Sequence, residues 1–146
     1  MALDAPDAAS RMAQLVTLTE RLTGLIAGQV KAFEARRPQD AALDAAETGR
    51  LANLYRHESL RVQTPPELLV GAPPELRDRL IAATRALDAV LARHGRAVEA
   101  AKTITEGLVR AIAEEIARQR GAAAGYGPKA VQTASPATSL ALNRRA

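Results

Sequence analysis

Two histidines, His57 and His94, are the only side chains in this chain whose ordinary titration lies near neutral pH. General acid–base catalysis would need one of them beside a nucleophile or a paired carboxylate. Metal binding would need a cluster of nitrogen and oxygen ligands. Neither arrangement is visible. The two histidines lie 37 positions apart, in separate stretches, and there are no cysteines to supply thiolates or disulfides. His94 stands on an apolar helical seam, where a polar residue that fixes pairing register accounts for it. Glu114-Glu115 and the Asp4/Asp7 pair read as solvated surface charge. No glycine-rich loop follows a strand, and no cofactor is implied. The expectation is a protein that is not an enzyme.

Charge directs attention to the C-terminal end. The net charge is +4, yet residues 1–116 carry 15 basic and 16 acidic side chains, whereas residues 117–146 carry Arg118, Arg120, Lys129, Arg144 and Arg145 and no acid. Five cations over thirty residues with a single aromatic, Tyr126, are too sparse for a nucleic-acid interface. No apolar run approaches the ~18 residues of a membrane span. MALDAPDAAS at the N-terminus has acids where a secretion signal carries positive charge. The expected address is the cytoplasm, with no nucleic-acid and no membrane-spanning role.

The elements that must carry any function are helices. The chain has 33 alanines against one Phe, two Tyr and no Trp. Alanine loses no rotamer freedom in a helix, and without aromatics there is little to fill a thick core. Leu15, Leu18, Leu22 and Leu25 (or Ile26) follow a 3-4-3 heptad seam, predicting a helix over about 7–37. Pro38 opens a second helix, since proline fits the first turn and breaks an interior. This helix runs to about 62 through Leu43, Leu51 and Leu54. TPPELLVGAPPE at 64–75 is the strongest break, leaving room for one helical turn at 67–70. The third and longest helix, about 74–119, carries the seam Leu76, Leu80, Ala83, Leu87, Val90 (or Leu91), His94, Val98, Ala101, Ile104, Leu108, Ile112 and Ile116.

The expected fold is therefore all-α. It is a long antiparallel helical bundle or coiled-coil hairpin of three helices over residues 1–120, with a flexible C-terminal tail over 121–146. Either Pro38 kinks one long arm lying against the third helix, or it reverses the chain into a three-helix bundle. The similar lengths of the two arms favour the kink.

The binding residues expected from this pattern are apolar. Ile104, Leu108, Ile112 and Ile116 offer the anchor spacing of a helix-in-groove contact. Tyr126 and the SLAL run, with Leu140 and Leu142, are anchor points in the tail. The same seam could support a homodimer, giving a structural coiled-coil adaptor as the alternative reading.

LVTLTERLTGLI at 15–26, EARRPQDAALDAAETGRLANLY at 34–55 and ITEGLVRAIAEEIARQR at 104–120, followed by a Gly/Ala stretch and YGP, resemble FlgN-like flagellar proteins. More narrowly, they are similar to the short alphaproteobacterial forms of FlbY type. The resemblance implies an all-α, cytoplasmic, non-enzymatic export chaperone of the flagellar type III secretion apparatus. Such a protein holds a hook–filament junction protein and delivers it to the export gate. In that family a tyrosine just after the last helix docks the export-gate component, and by motif position it corresponds to Tyr126.

Overall fold

The structure, a computed structural model, describes residues 7–63 and 70–125. Four helices follow in order: α1 (Ala8–Glu34), α2 (Pro38–Ala42), α3 (Ala45–Gln63) and α4 (Pro74–Gly125). No strand occurs among the described residues, and the fold is all-α. Two compact units are distinguishable, Met1–Thr103 and Ile104–Ala146. The first holds α1, α2, α3 and the opening part of α4, and the second holds the rest of α4.

Helix α1 starts where its cap dictates. The Asp7 carboxylate accepts the backbone N–H of Ser10 at 2.7 Å, satisfying one of the orphan donors of the first turn. That hydrogen bond holds the Asp7 carboxyl below its ordinary value. Met12, Leu15, Val16, Leu18, Leu22, Ile26 and Val30 are buried along one side. Thr19 is also fully buried, and its hydroxyl is satisfied by donating to the Leu15 carbonyl at 2.7 Å. The buried stripe is thus wider than the strict heptad seam, taking in Val16, Thr19 and Val30.

The end of α1 settles the question posed by Pro38. The N–H of Arg37 reaches the carbonyl of Ala32 at 2.9 Å and that of Arg36 reaches Phe33 at 3.0 Å. Arg36 lies at φ 59. This is a Schellman stop, with an arginine in the left-handed position that glycine usually holds. Pro38 then occupies the first turn of α2. The chain reverses here, and the kinked single arm favoured by arm length does not form.

Gln29 donates to the Thr48 hydroxyl at 3.0 Å, and Arg21 pairs with Glu47. Leu51 and Tyr55, further along α3, pack with Leu22 and Ile26, nearer the start of α1. Helix α3 therefore returns antiparallel to α1. An L-residue in the left-handed region is about 1 kcal/mol worse than glycine, partly offset by glycine's greater freedom in the unfolded chain. Arg36→Gly is expected to raise stability by about 0.5 kcal/mol, read as a higher denaturant midpoint. A lower midpoint would contradict this account of the turn.

Two further expectations need correction. The helix expected over 38–62 is divided, because Leu43 and Asp44 form a turn and Asp44 hands its carbonyl to the N–H and the hydroxyl of Thr48. Leu43, expected within that helix alongside Leu51 and Leu54, consequently faces solvent at 80% exposure. The last helix does not stop near 119: residues 121–125, assigned to the tail from sequence, continue it. Ala122, Ala123 and Ala124 have the best intrinsic propensity for that conformation. Residues 64–69, with most of the expected turn at 67–70, and residues 126–146 lie outside the described residues.

Helix α4 joins the bundle parallel to α1. Arg79 donates through Nε and Nη2 to Glu20 at 3.0 and 2.9 Å, and Arg93 reaches Glu34 in the same two-pronged way at 2.8 and 2.6 Å. Both pairs are 59 residues apart, so the two helices advance in step. The Arg93 guanidinium holds the Glu34 carboxyl below its ordinary value. The core between the helices gathers Leu22, Ile26 and Leu87, with Leu51, Tyr55 and Val90 packed against them. The chain's one phenylalanine, Phe33, meets the His94 ring edge-on at 6.0 Å. His94 thus marks the register of α4 on α1, in line with its place on the seam.

Candidate protein-docking surface

Along α4 the apolar seam meets two different environments. Within the first unit Ala83, Leu87 and Ala97 are buried, and Leu76, Leu80, Val90, His94 and Ala101 are half-buried. Val98, expected on the seam, is instead exposed at 38%, because the turn of the helix brings its neighbour Ala97 to the buried position three residues after His94. In the second unit every residue from 104 to 124 is exposed. Ile104, Leu108, Ile112 and Ile116 have 54, 59, 51 and 44% of their surface open to solvent.

The expected anchors therefore stand together, four residues apart, as an i, i+4 ridge on one side of a single helix. Val109 belongs with them and is exposed. Sequence reasoning passed over it, although its i+3 and i+7 relation to Ile112 and Ile116 was available as a signal.

The opposite side of this stretch carries Glu106, Arg110 and Glu114, spaced by four with alternating sign. Nearer the ridge, Glu115 is held by Arg118 at 2.6 Å and accepts from Gln119 at 3.1 Å. The result is a helix whose aliphatic ridge is bordered by the Glu115–Arg118 pair and backed by a charged opposite face. Fully burying one Leu or Ile side chain gains roughly 1.5–3 kcal/mol. About half of each ridge side chain is still open, so covering the four would supply roughly 3–6 kcal/mol before the losses of association are subtracted.

The other candidate residues do not assemble into a chemical site. His94 is occupied with Phe33, and His57 lies beside Glu58, its Nδ1 at 3.3 Å from Oε1. Asp7 caps α1, and Asp4 lies outside the described residues. Among the described residues no group of three or more His, Asp or Glu is placed to hold a metal ion. None of the described helices is long and apolar enough to cross a membrane. Tyr126, Leu140 and Leu142 lie outside the described residues, so the ridge from Ile104 to Ile116 is the part of the expected binding set that the structure positions.

No protein-family profile matches the chain. No solved structure matches it. A curated relative does: the chain is 55% identical, over 149 aligned residues and 100% of both chains, to the flagellar basal-body protein FlbY of Caulobacter vibrioides. With an apolar ridge open to solvent on an all-α scaffold and that identity along its whole length, the chain belongs to the family of the flagellar basal-body protein FlbY.

Proposed function

We propose that this protein serves flagellar assembly as a non-enzymatic, cytoplasmic carrier of the FlgN-like type. On this reading it binds a hook–filament junction protein, or another axial protein, and brings it to the type III export gate. The observation that carries the proposal is the open ridge Ile104, Leu108, Ile112 and Ile116, in a chain whose 55%-identical relative is named for the flagellar basal body. Axial proteins polymerise through amphipathic terminal helices. A carrier that keeps them apart needs a complementary apolar face, and a ridge at helical spacing is one.

The test is co-purification with a hook–filament junction protein, using a variant whose ridge has been made acidic. A cargo-free adaptor that dimerises through the ridge would instead give a dimer mass by light scattering and ignore such partners. In the carrier reading Tyr126 contacts the export-gate component. Tyr126→Ala is expected to leave cargo binding intact and to weaken gate docking at least about tenfold, a loss of one good buried aromatic contact. Equal docking by Tyr126→Ala and wild type would remove Tyr126 from the mechanism.

A further inference from the structure

Helix α3 has an outward face that the carrier reading does not use. From Arg50 to Gln63 the charged side chains are Arg50, Arg56, Arg61 and a single acid, Glu58. Glu58 is fully buried, whereas Arg50 and Arg56 are exposed and Arg61 is half-buried. Arg61 Nη1 stands 3.8 Å from the Glu58 carboxylate. Among the described residues no carboxylate lies within ion-pair distance of Arg50 or Arg56; Arg56 donates only to the Asn53 amide oxygen, at 3.3 Å. Glu47, the acid nearest the start of this face, is taken by Arg21.

Arg50, Leu54, His57 and Arg61 recur at i, i+4, i+7 and i+11, which places them in one row along the helix. Beside this row is an open depression of about 560 Å³, lined by Arg50, Leu51, Leu54, Arg56 and His57, with Glu47, the partner of Arg21, as its one acid. Leu60, 62% exposed, flanks the row further along.

We infer that this face of α3 is a second docking surface, fitted to an acidic amphipathic helix of a partner protein. Leu54 at the centre of the row would take an apolar side chain, and Arg50 and Arg56, the two exposed arginines lining the depression, would take carboxylates in two-pronged contacts. Charge selects this occupant. Residues 126–146 carry Lys129, Arg144 and Arg145 and no acid, so the chain's own C-terminal segment is repelled. A second copy docked face to face would set arginine against arginine. Nucleic acid is disfavoured because a leucine occupies the middle of the row, and Tyr55, the aromatic of this helix, packs into the core rather than offering a ring to a base.

The test uses the full chain and a fluorescent synthetic peptide, a capped helix with leucines at i, i+3 and i+7 flanked by glutamates. Binding is read by anisotropy at low ionic strength. The expected result is saturable binding, weakened at least about tenfold in R50E/R56E and to a lesser degree in R50Q/R56Q. L108D/I112D should bind the peptide as wild type does, which separates this surface from the apolar ridge of the proposed function. Arg50 and Arg56 are exposed, so helical content by circular dichroism should be unchanged. Wild-type affinity in R50E/R56E would overturn the inference. So would equal binding of a scrambled peptide of the same composition, or tighter binding of a labelled DNA duplex than of the peptide.

Discussion

Replacing Leu108 and Ile112 together with aspartate is expected to abolish co-purification with a hook–filament junction protein, a loss of at least about 100-fold in affinity. Two aliphatic anchors worth roughly 1–1.5 kcal/mol each, since about half of their surface is still open, would be removed, and two carboxylates would be placed where the partner's apolar face must sit. The variant itself should fold normally. Both side chains are more than half exposed, and exposed substitutions outside caps and networks usually change stability by no more than about 0.5 kcal/mol. Unchanged helical content with lost binding is therefore the expected pair of observations. Wild-type co-purification would place the cargo site elsewhere on the molecule.

The second large effect separates the covered part of the seam from the open part. Leu87 and Leu108 lie on the same helix and are the same residue type, yet Leu87 is 2% exposed and Leu108 is 59% exposed. Leu87 touches Leu22 and Ile26, so truncation to alanine leaves a void between α1 and α4. Leu87→Ala is expected to lower unfolding free energy by about 3 kcal/mol, within the usual range for buried leucines. Leu108→Ala should change it by no more than about 0.5 kcal/mol. Denaturant titrations at two protein concentrations measure both. Comparable losses at the two positions, growing as the protein is concentrated, would mean that the ridge is already covered by a second copy.

Much of the bundle could be read from the residues, because local chemistry determined it. The leucine seam of α1 is buried at Leu15, Leu18 and Leu22, and Pro38 stands in the first turn of a new helix, where its missing N–H does no harm. The reversal was harder to read because its usual cue is absent. A Schellman stop is announced by glycine or asparagine, and in ARRPQD the left-handed residue is Arg36. Leu43 misled for a similar reason: its spacing from Leu51 and Leu54 fits one helix, but a turn at Leu43–Asp44 aims it into solvent.

The docking ridge shows the deeper limit of periodicity. Apolar spacing along α4 looks alike from Leu76 to Ala101 and from Ile104 to Ile116, since pattern reports the face of a helix and not whether anything lies on it. Only the three-dimensional arrangement separates Leu87, sealed against α1, from Leu108, open to solvent. The cationic face of α3 was hidden differently. Glu58 stands among the arginines in the sequence, and only its burial beneath the helix shows that the exposed charges of this face are Arg50 and Arg56.

Site-specific photocrosslinking in flagellated cells tests the central claim most directly, with a photoreactive residue at position 112 on the ridge or at position 110 on the charged face. The account predicts an adduct between position 112 and a flagellar axial protein, identified by mass spectrometry, and none from position 110. An adduct from position 112 to a second copy of this chain, or equal adducts from both positions, would contradict it.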